Sequence, residues 1–107
     1  MSWRVVSWRV VVRPEVRADL DAAAAWYDDQ RAGLGREFVA AVAKVLPALA
    51  ENPFLNSRRH RTRHIRWRYP ERFPYRVIYR VDEAENAVVI VAVLHAARHD
   101  RRWHERL

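Results

Sequence analysis

The chain has 107 residues, half of them apolar, and carries a formal net charge of +7. This size and composition predict one domain, residues 1–107, with a packed core. The absence of cysteine excludes disulfides, thiol catalysis and cysteine-ligated zinc. No apolar run approaches the roughly 18 residues of a membrane span, and no signal-peptide pattern is present. We therefore expect a cytoplasmic protein without a membrane partner.

The chain begins with the tandem SWRVV, SWRVV, which predicts a duplicated or disordered start over residues 1–7 and a first strand over residues 8–12. Pro14 is suited to the first turn of a helix. A buried stripe at helical spacing follows: Val16, Leu20, Ala23 and Tyr27. Trp26 falls beside this stripe, where exposure is expected.

A second helix is predicted over residues 34–51. Its apolar face is formed by Phe38, Ala41, Val42, Val45 and Leu49. Pro47 lies inside this segment and predicts a kink or an end to the regular helix. Asn52 and Pro53 then stop it, so the two helices form an antiparallel hairpin.

Three strands are predicted after a basic loop at residues 56–61. Residues 62–69 alternate between charged and apolar side chains, which indicates an edge strand protected by charge. Residues 73–81 alternate again, and residues 87–94 are apolar throughout, which indicates a strand covered on both faces. The predicted fold is α+β, in the order β-α-α-β-β-β, with a helical hairpin packed on a mainly antiparallel four-stranded sheet.

The positive charge is confined to the second half of the chain. Residues 1–51 hold seven basic and seven acidic side chains, whereas residues 52–107 hold thirteen basic and six acidic ones. Between positions 58 and 80 there are nine arginines and a single acid, Glu71. A one-sided basic surface attracts an anionic partner, either nucleic acid or an acidic protein segment.

Three stretches together resemble the RelE/ParE toxin superfamily of type II toxin–antitoxin systems. WYDDQRAGLGREF, with ENP after it, resembles the helical hairpin of that superfamily, FPYRVIYRV its central strand, and VLHAARHDRRW its C-terminal signature. The resemblance implies a bacterial toxin encoded beside a small antitoxin. The long hairpin and the GLG turn are more similar to the ParE branch, whose members poison DNA gyrase and are neutralised by ParD-like antitoxins.

The alternative branch implies a different activity. RelE-like members cut messenger RNA on the ribosome, and their pattern places an arginine where this chain has Arg76 and another near Arg98. They often end in a tyrosine, whereas no tyrosine follows Tyr79 here. Under this alternative, the catalytic residues are Arg76, Arg98, His99 and His104. A further alternative is a non-toxic binding module that keeps the fold.

The ParE-like interpretation assigns three residues to the gyrase target: Arg76, Arg98 and Trp103. Replacing Arg98 by alanine is predicted to abolish activity without unfolding the chain. The antitoxin is predicted to contact Trp26, Arg58, Arg59, Arg61, Arg63, Arg66 and Arg68, although the arginines also suit a nucleic-acid backbone. His95 and His99 are four residues apart, but no carboxylate or cysteine completes a ligand set, so neither metal nor cofactor is predicted.

Overall fold

The computed structural model describes residues 7–61, 63–97 and 105–106. The predicted start at residues 1–7 therefore lies almost wholly outside the described residues. Within the described ranges, two helices and five strands follow one another: β1 (Arg9–Val12), α1 (Pro14–Gln30), α2 (Leu34–Glu51), β2 (Arg58–Arg59), β3 (Arg66–Arg68), β4 (Tyr75–Asp82) and β5 (Ala87–His95).

The strands form one mixed sheet in the order β1-β5-β4-β3-β2. β1 runs parallel to β5, and the other neighbours are antiparallel. The α+β fold is confirmed, but the sheet has five strands where four were predicted. The extra strand is β2, which lies within the predicted basic loop because Arg58 and Arg59 pair with Trp67 and Arg66. The prediction that the strand ending near Tyr69 forms the sheet edge is wrong, since β2 covers it.

The helical hairpin is closed by two glycines with different roles. Gly33 adopts a left-handed backbone conformation, φ +88°, at the start of α2, where glycine is the least strained residue. Gly35 donates its backbone N–H to Asp28 Oδ1 at 2.8 Å. A Cβ at Gly35 would lie 2.4 Å from the carbonyl oxygen of Ala24. The close approach of the two helices therefore requires a glycine at position 35.

Pro47 does not end α2, which continues to Glu51, so that part of the prediction is wrong. Pro47 is exposed, whereas Leu49 in the turn after it is fully buried. Packing of Leu49 holds the last turn in place although the proline removes one backbone hydrogen bond. Asn52 follows as the C-terminal cap, as predicted.

The core lies on both faces of the sheet. On the helix side, the buried stripes of α1 and α2 pack on alternate residues of β4, among them Tyr75, Val77 and Tyr79. On the opposite face, a second cluster contains Ile65, Ile78, Val91, Ala92 and Leu94. All residues of β5 from Ala87 to Leu94 are buried, which confirms that this strand is covered on both faces.

Candidate target and partner surfaces

Arg76 lies on the sheet face opposite the helices. Its guanidinium carbon is 4.7 Å from the centroid of the Trp67 ring, and its Nε donates to the Tyr69 hydroxyl at 3.3 Å. These two contacts restrict the orientation of the guanidinium, which remains partly exposed. Arg76 thus lies beside the second apolar cluster, and its role at a target site stays a prediction. The predicted companions Arg98, His99, Trp103 and His104 lie outside the described residues.

β5 ends at His95, beside the helix layer. The His95 ring packs edge-on against Tyr75 at 5.3 Å between centroids, and its Nδ1 accepts from the Ala97 N–H at 3.0 Å. The Ala96 N–H donates to the Pro74 carbonyl at 2.9 Å. These bonds fix the backbone after β5 as far as Ala97, the residue before the predicted target residue Arg98.

A buried ion pair, which sequence reasoning missed, lies next to this end of the sheet. Both Asp19 oxygens accept from Arg106, Oδ1 from Nη2 at 2.9 Å and Oδ2 from Nη1 at 2.7 Å. The Asp19 side chain is only 4% exposed and that of Arg106 17%. The hydrogen bond to Asp19 raises the pKa of Arg106 above its usual value, against the opposing effect of burial.

The same two side chains complete the hydrogen bonding of β5 where β1 ends. The last paired residues of the two strands are Val12 and Ile90. Beyond them, Arg106 Nη1 donates to the Val91 carbonyl at 3.0 Å, and the Val93 N–H donates to Asp19 Oδ2 at 2.9 Å. A carboxylate and a guanidinium therefore occupy the edge that a longer β1 would have covered.

Asp19 could have been found from its spacing. It lies three residues after Val16 and four before Ala23, so it falls on the buried stripe of α1. A carboxylate at such a position requires a partner, because an unpaired buried charge is very costly. The partner, Arg106, has no comparable pattern around it.

The predicted antitoxin residue Trp26 is exposed, and Tyr27 beside it is buried. Trp26 is 54% exposed on α1 and packs edge-on against Tyr27. Tyr27 packs against Phe38, Phe73 and Tyr75 at centroid distances of 5.0 to 5.9 Å. Burial raises the pKa of Tyr27. Trp26 also lines a cavity with Ala22, Leu94 and His95, which places an exposed ring near the sheet end.

The six predicted antitoxin arginines lie together on the β2–β3 hairpin, residues 58–68. Arg58, Arg59, Arg61 and Arg63 are exposed. Arg66 is half-buried, with its guanidinium 4.9 Å from the Phe54 ring centroid and Nη1 donating to Ser57 Oγ at 3.2 Å. Arg68, also half-buried, lies beside the C-terminal part of α2. The structure thus brings the six arginines together, and their partner remains a prediction.

No group of three or more His, Cys, Asp or Glu side chains in residues 7–61, 63–97 and 105–106 is arranged to hold a metal ion. In the same part of the chain, no helix combines the length and apolar character needed to cross a bilayer.

A two-helix hairpin on a mixed sheet defines the fold of RelE/ParE-type toxins. The chromosomal ParDE toxin–antitoxin system from P. aeruginosa has a similar chain, with a TM-score of 0.73 and 18% identity over 83% of this chain and 96% of that one. The toxin–antitoxin complex RelBE2 from Mycobacterium tuberculosis has another, with a TM-score of 0.62 and 25% identity over 84% and 99%.

The sequence itself matches one family over nearly its full length. Residues 10–100 match the family described as "ParE toxin of type II toxin-antitoxin system, parDE". This chain therefore belongs to the ParE toxin family, as its resemblance to the superfamily predicted. No curated protein matches it significantly.

Proposed function

We propose that this chain inhibits DNA gyrase and is neutralised by a ParD-like antitoxin. The observation that carries the proposal is the family match over residues 10–100, since the ParE branch is the one whose members poison gyrase. An antitoxin partner is also supported by the similar structures, which come from a ParDE system and a RelBE2 complex.

Gyrase binding is proposed to use Arg76 together with Arg98 and Trp103. Arg76 is held between the Trp67 ring and the Tyr69 hydroxyl, so its guanidinium is preorganised without being fully covered. A preorganised guanidinium loses less conformational entropy on binding a carboxylate or phosphate than a free side chain does. This supports Arg76 as a recognition residue on a protein or DNA-bound target.

The antitoxin is proposed to contact α1 at Trp26. An exposed tryptophan beside small side chains such as Ala22 and Ala25 offers a large apolar surface to an amphipathic segment. Tryptophan is the residue type most enriched among the strongest contacts of protein interfaces. Trp26→Ala should weaken antitoxin binding by about 2 kcal/mol or more, whereas Val39→Ala, at an exposed apolar position on α2, should not.

Ribosome-dependent RNA cleavage is the second candidate. It is favoured by the 25% identity with a chain of the RelBE2 complex. It is also favoured by Arg76, which stands where the sequence resemblance places an arginine of RelE-like toxins. Under this candidate, Arg76, Arg98, His99 and His104 act on the RNA. We rank it second because the family match is to ParE toxins.

Controlled induction in bacterial cells separates the two candidates. Gyrase poisoning should produce the DNA damage response and filamentation, and both should disappear when the adjacent antitoxin gene is co-expressed. Immediate arrest of translation, with messages cut at codon boundaries and no DNA damage response, would contradict the proposal in favour of the RNase. Normal growth despite accumulation of the folded chain would favour a non-toxic binding module.

A further inference from the structure

We propose that the β2–β3 hairpin, residues 58–68, is a binding surface for the phosphate backbone of duplex DNA. This goes beyond gyrase inhibition, because it assigns DNA affinity to the chain itself. It holds whether or not gyrase is the target.

The first support is that the charge of the hairpin is not neutralised by any carboxylate in the part of the chain that the structure describes. Elsewhere, five arginines lie within 4 Å of carboxylates: Arg17 of Asp21, Arg31 and Arg72 of Glu37, Arg80 of Asp82, and Arg106 of Asp19. Among the described residues, no carboxylate lies this close to any of the six hairpin arginines. No acidic residue occurs between positions 52 and 70. Bringing six like charges together costs free energy that an external polyanion offsets.

The second support is the placement of the guanidinium groups around the hairpin. In the register Arg58 opposite Trp67 and Arg59 opposite Arg66, Arg58 projects to one face of the hairpin, and Arg59 and Arg66 project to the other. Arg61 and Arg63 extend the charge to the connecting turn, where both are exposed. The hairpin forms the edge of the five-stranded sheet, because β3 also pairs with β4. Its four exposed arginines therefore offer phosphate contacts from the sheet edge and the connecting turn.

The third support distinguishes DNA from an acidic protein segment. A peptide adding to the sheet edge would find only two residues of β2 to pair with. Among the described residues of the hairpin, the exposed side chains are four arginines and His64, while the apolar Ile65 is 1% exposed. Protein interfaces derive most of their affinity from apolar anchors, whereas binding to a phosphate backbone requires only positive charge. The hairpin therefore suits a phosphate backbone better than a peptide.

The test measures how binding of the full-length chain to a fluorescent 20-base-pair duplex of mixed sequence depends on salt. The observed affinity falls with salt in proportion to the number of phosphates contacted, by about 0.9 in log–log slope per contact. The triple variant Arg58→Ala, Arg61→Ala, Arg63→Ala should lose about 2 to 3 units of this slope. The matched control Arg17→Ala, Arg36→Ala, Lys44→Ala removes the same charge from exposed positions on the helices and should keep the slope.

A charge-preserving variant guards against loss of the fold. Arg58→Lys, Arg61→Lys, Arg63→Lys should retain most of the slope, and circular dichroism should show that all three variants are folded. Equal loss in the hairpin and control variants would overturn the proposal, because binding would then depend on net charge alone. Undiminished DNA binding with weakened antitoxin binding would overturn it in favour of an acidic peptide. Tighter binding to single-stranded RNA of equal length would overturn it in favour of RNA.

Discussion

Asp19 and Arg106, 87 positions apart in sequence, form a bidentate ion pair that closes the edge of β5 where β1 ends. Asp19 also accepts from Val93 and Arg106 also donates to Val91. Val91 is the extra residue of a bulge, since Ile78 is paired with Ala92 and Tyr79 with Ile90. An unpaired residue in the strand thus directs its carbonyl to the guanidinium.

Removing one partner of this buried pair should lower the free energy of unfolding much more than removing one partner of an exposed pair. Arg106→Ala or Asp19→Ala should lower the free energy of unfolding by about 3 kcal/mol or more, because each leaves a buried charge without its partner. The control is Asp21→Ala, whose pair with Arg17 is 69% and 83% exposed and should contribute well under 1 kcal/mol. Urea denaturation measures all three.

An apolar double replacement tests what the pair does for the backbone. If the pair stabilised the fold only through its charges, the double variant Asp19→Leu, Arg106→Met would have the same free energy of unfolding as the wild-type chain. Because the Val93 N–H and the Val91 carbonyl would then lack partners, we expect a residual loss of about 1 to 3 kcal/mol. Wild-type stability in the double variant would contradict the edge-closing role.

The two glycines of the helical hairpin should respond differently to alanine. At Gly35 the new Cβ would meet the Ala24 carbonyl at 2.4 Å and the Asp28 carboxylate at 2.8 Å, so the helices must separate. Overpacking of this kind costs about 1 to 3 kcal/mol. At Gly33 nothing lies within 4 Å, and the cost of alanine is the strain of φ +88°, about 1 kcal/mol. In thermal unfolding, the melting temperature of Gly35→Ala should be lower than that of Gly33→Ala.

Alkaline pH should destabilise the chain partly through Tyr79. Its hydroxyl donates to the Pro53 carbonyl, and burial raises its pKa above 10.0, with Ser57, Arg66 and Arg68 opposing the rise. The folded state then holds the proton more tightly than the unfolded state does. This contribution to stability is complete below pH 10 and is lost as the pH rises through the folded-state pKa.

Tyr79→Phe separates this contribution from other alkaline effects. The variant should lose about 1 kcal/mol near neutral pH, the net value of one hydrogen bond. The variant should also lose less stability than wild type as the pH rises from about 9 to about 11. The pH dependence that remains should come from other groups such as Tyr27, whose pKa is also raised. Urea midpoints over this pH range measure the difference, and identical slopes would contradict the assignment.

Arg76 should matter for activity more than for folding. Arg76→Ala removes a guanidinium stacked on Trp67, which should cost about 0.5 to 1 kcal/mol of stability. The control is Arg80→Ala on the same face of β4, where the pair with Asp82 at 3.8 Å is loose. Growth after induction should recover with Arg76→Ala only. Equal toxicity of both variants would remove Arg76 from the proposed target site.

Much of the fold followed from periodicity, because alternation and helical spacing report burial directly. α2 has the predicted bounds, residues 34–51, and the continuous apolar run predicted the doubly covered β5. β2 was missed because two arginines carry no strand pattern, and only the turn at His60 brings them against β3.

The candidate surfaces were less predictable than the core. The exposure of Trp26 and the clustering of the arginines could be predicted from one face of a helix and one short segment. The contact between Asp19 and Arg106 could not be predicted from the sequence, because no pattern relates positions that are 87 residues apart. Contacts of this kind depend on tertiary packing, which a pattern within one element does not report.

The central claim, inhibition of gyrase, is tested most directly with purified components. The full-length chain should block ATP-dependent supercoiling of relaxed plasmid by gyrase and accumulate cleaved DNA in the gyrase complex, and the antitoxin should reverse both effects. The Arg80→Ala variant should behave as wild type. Unimpaired supercoiling at a molar excess of folded chain, together with cleavage of messages in a translation reaction, would contradict the account.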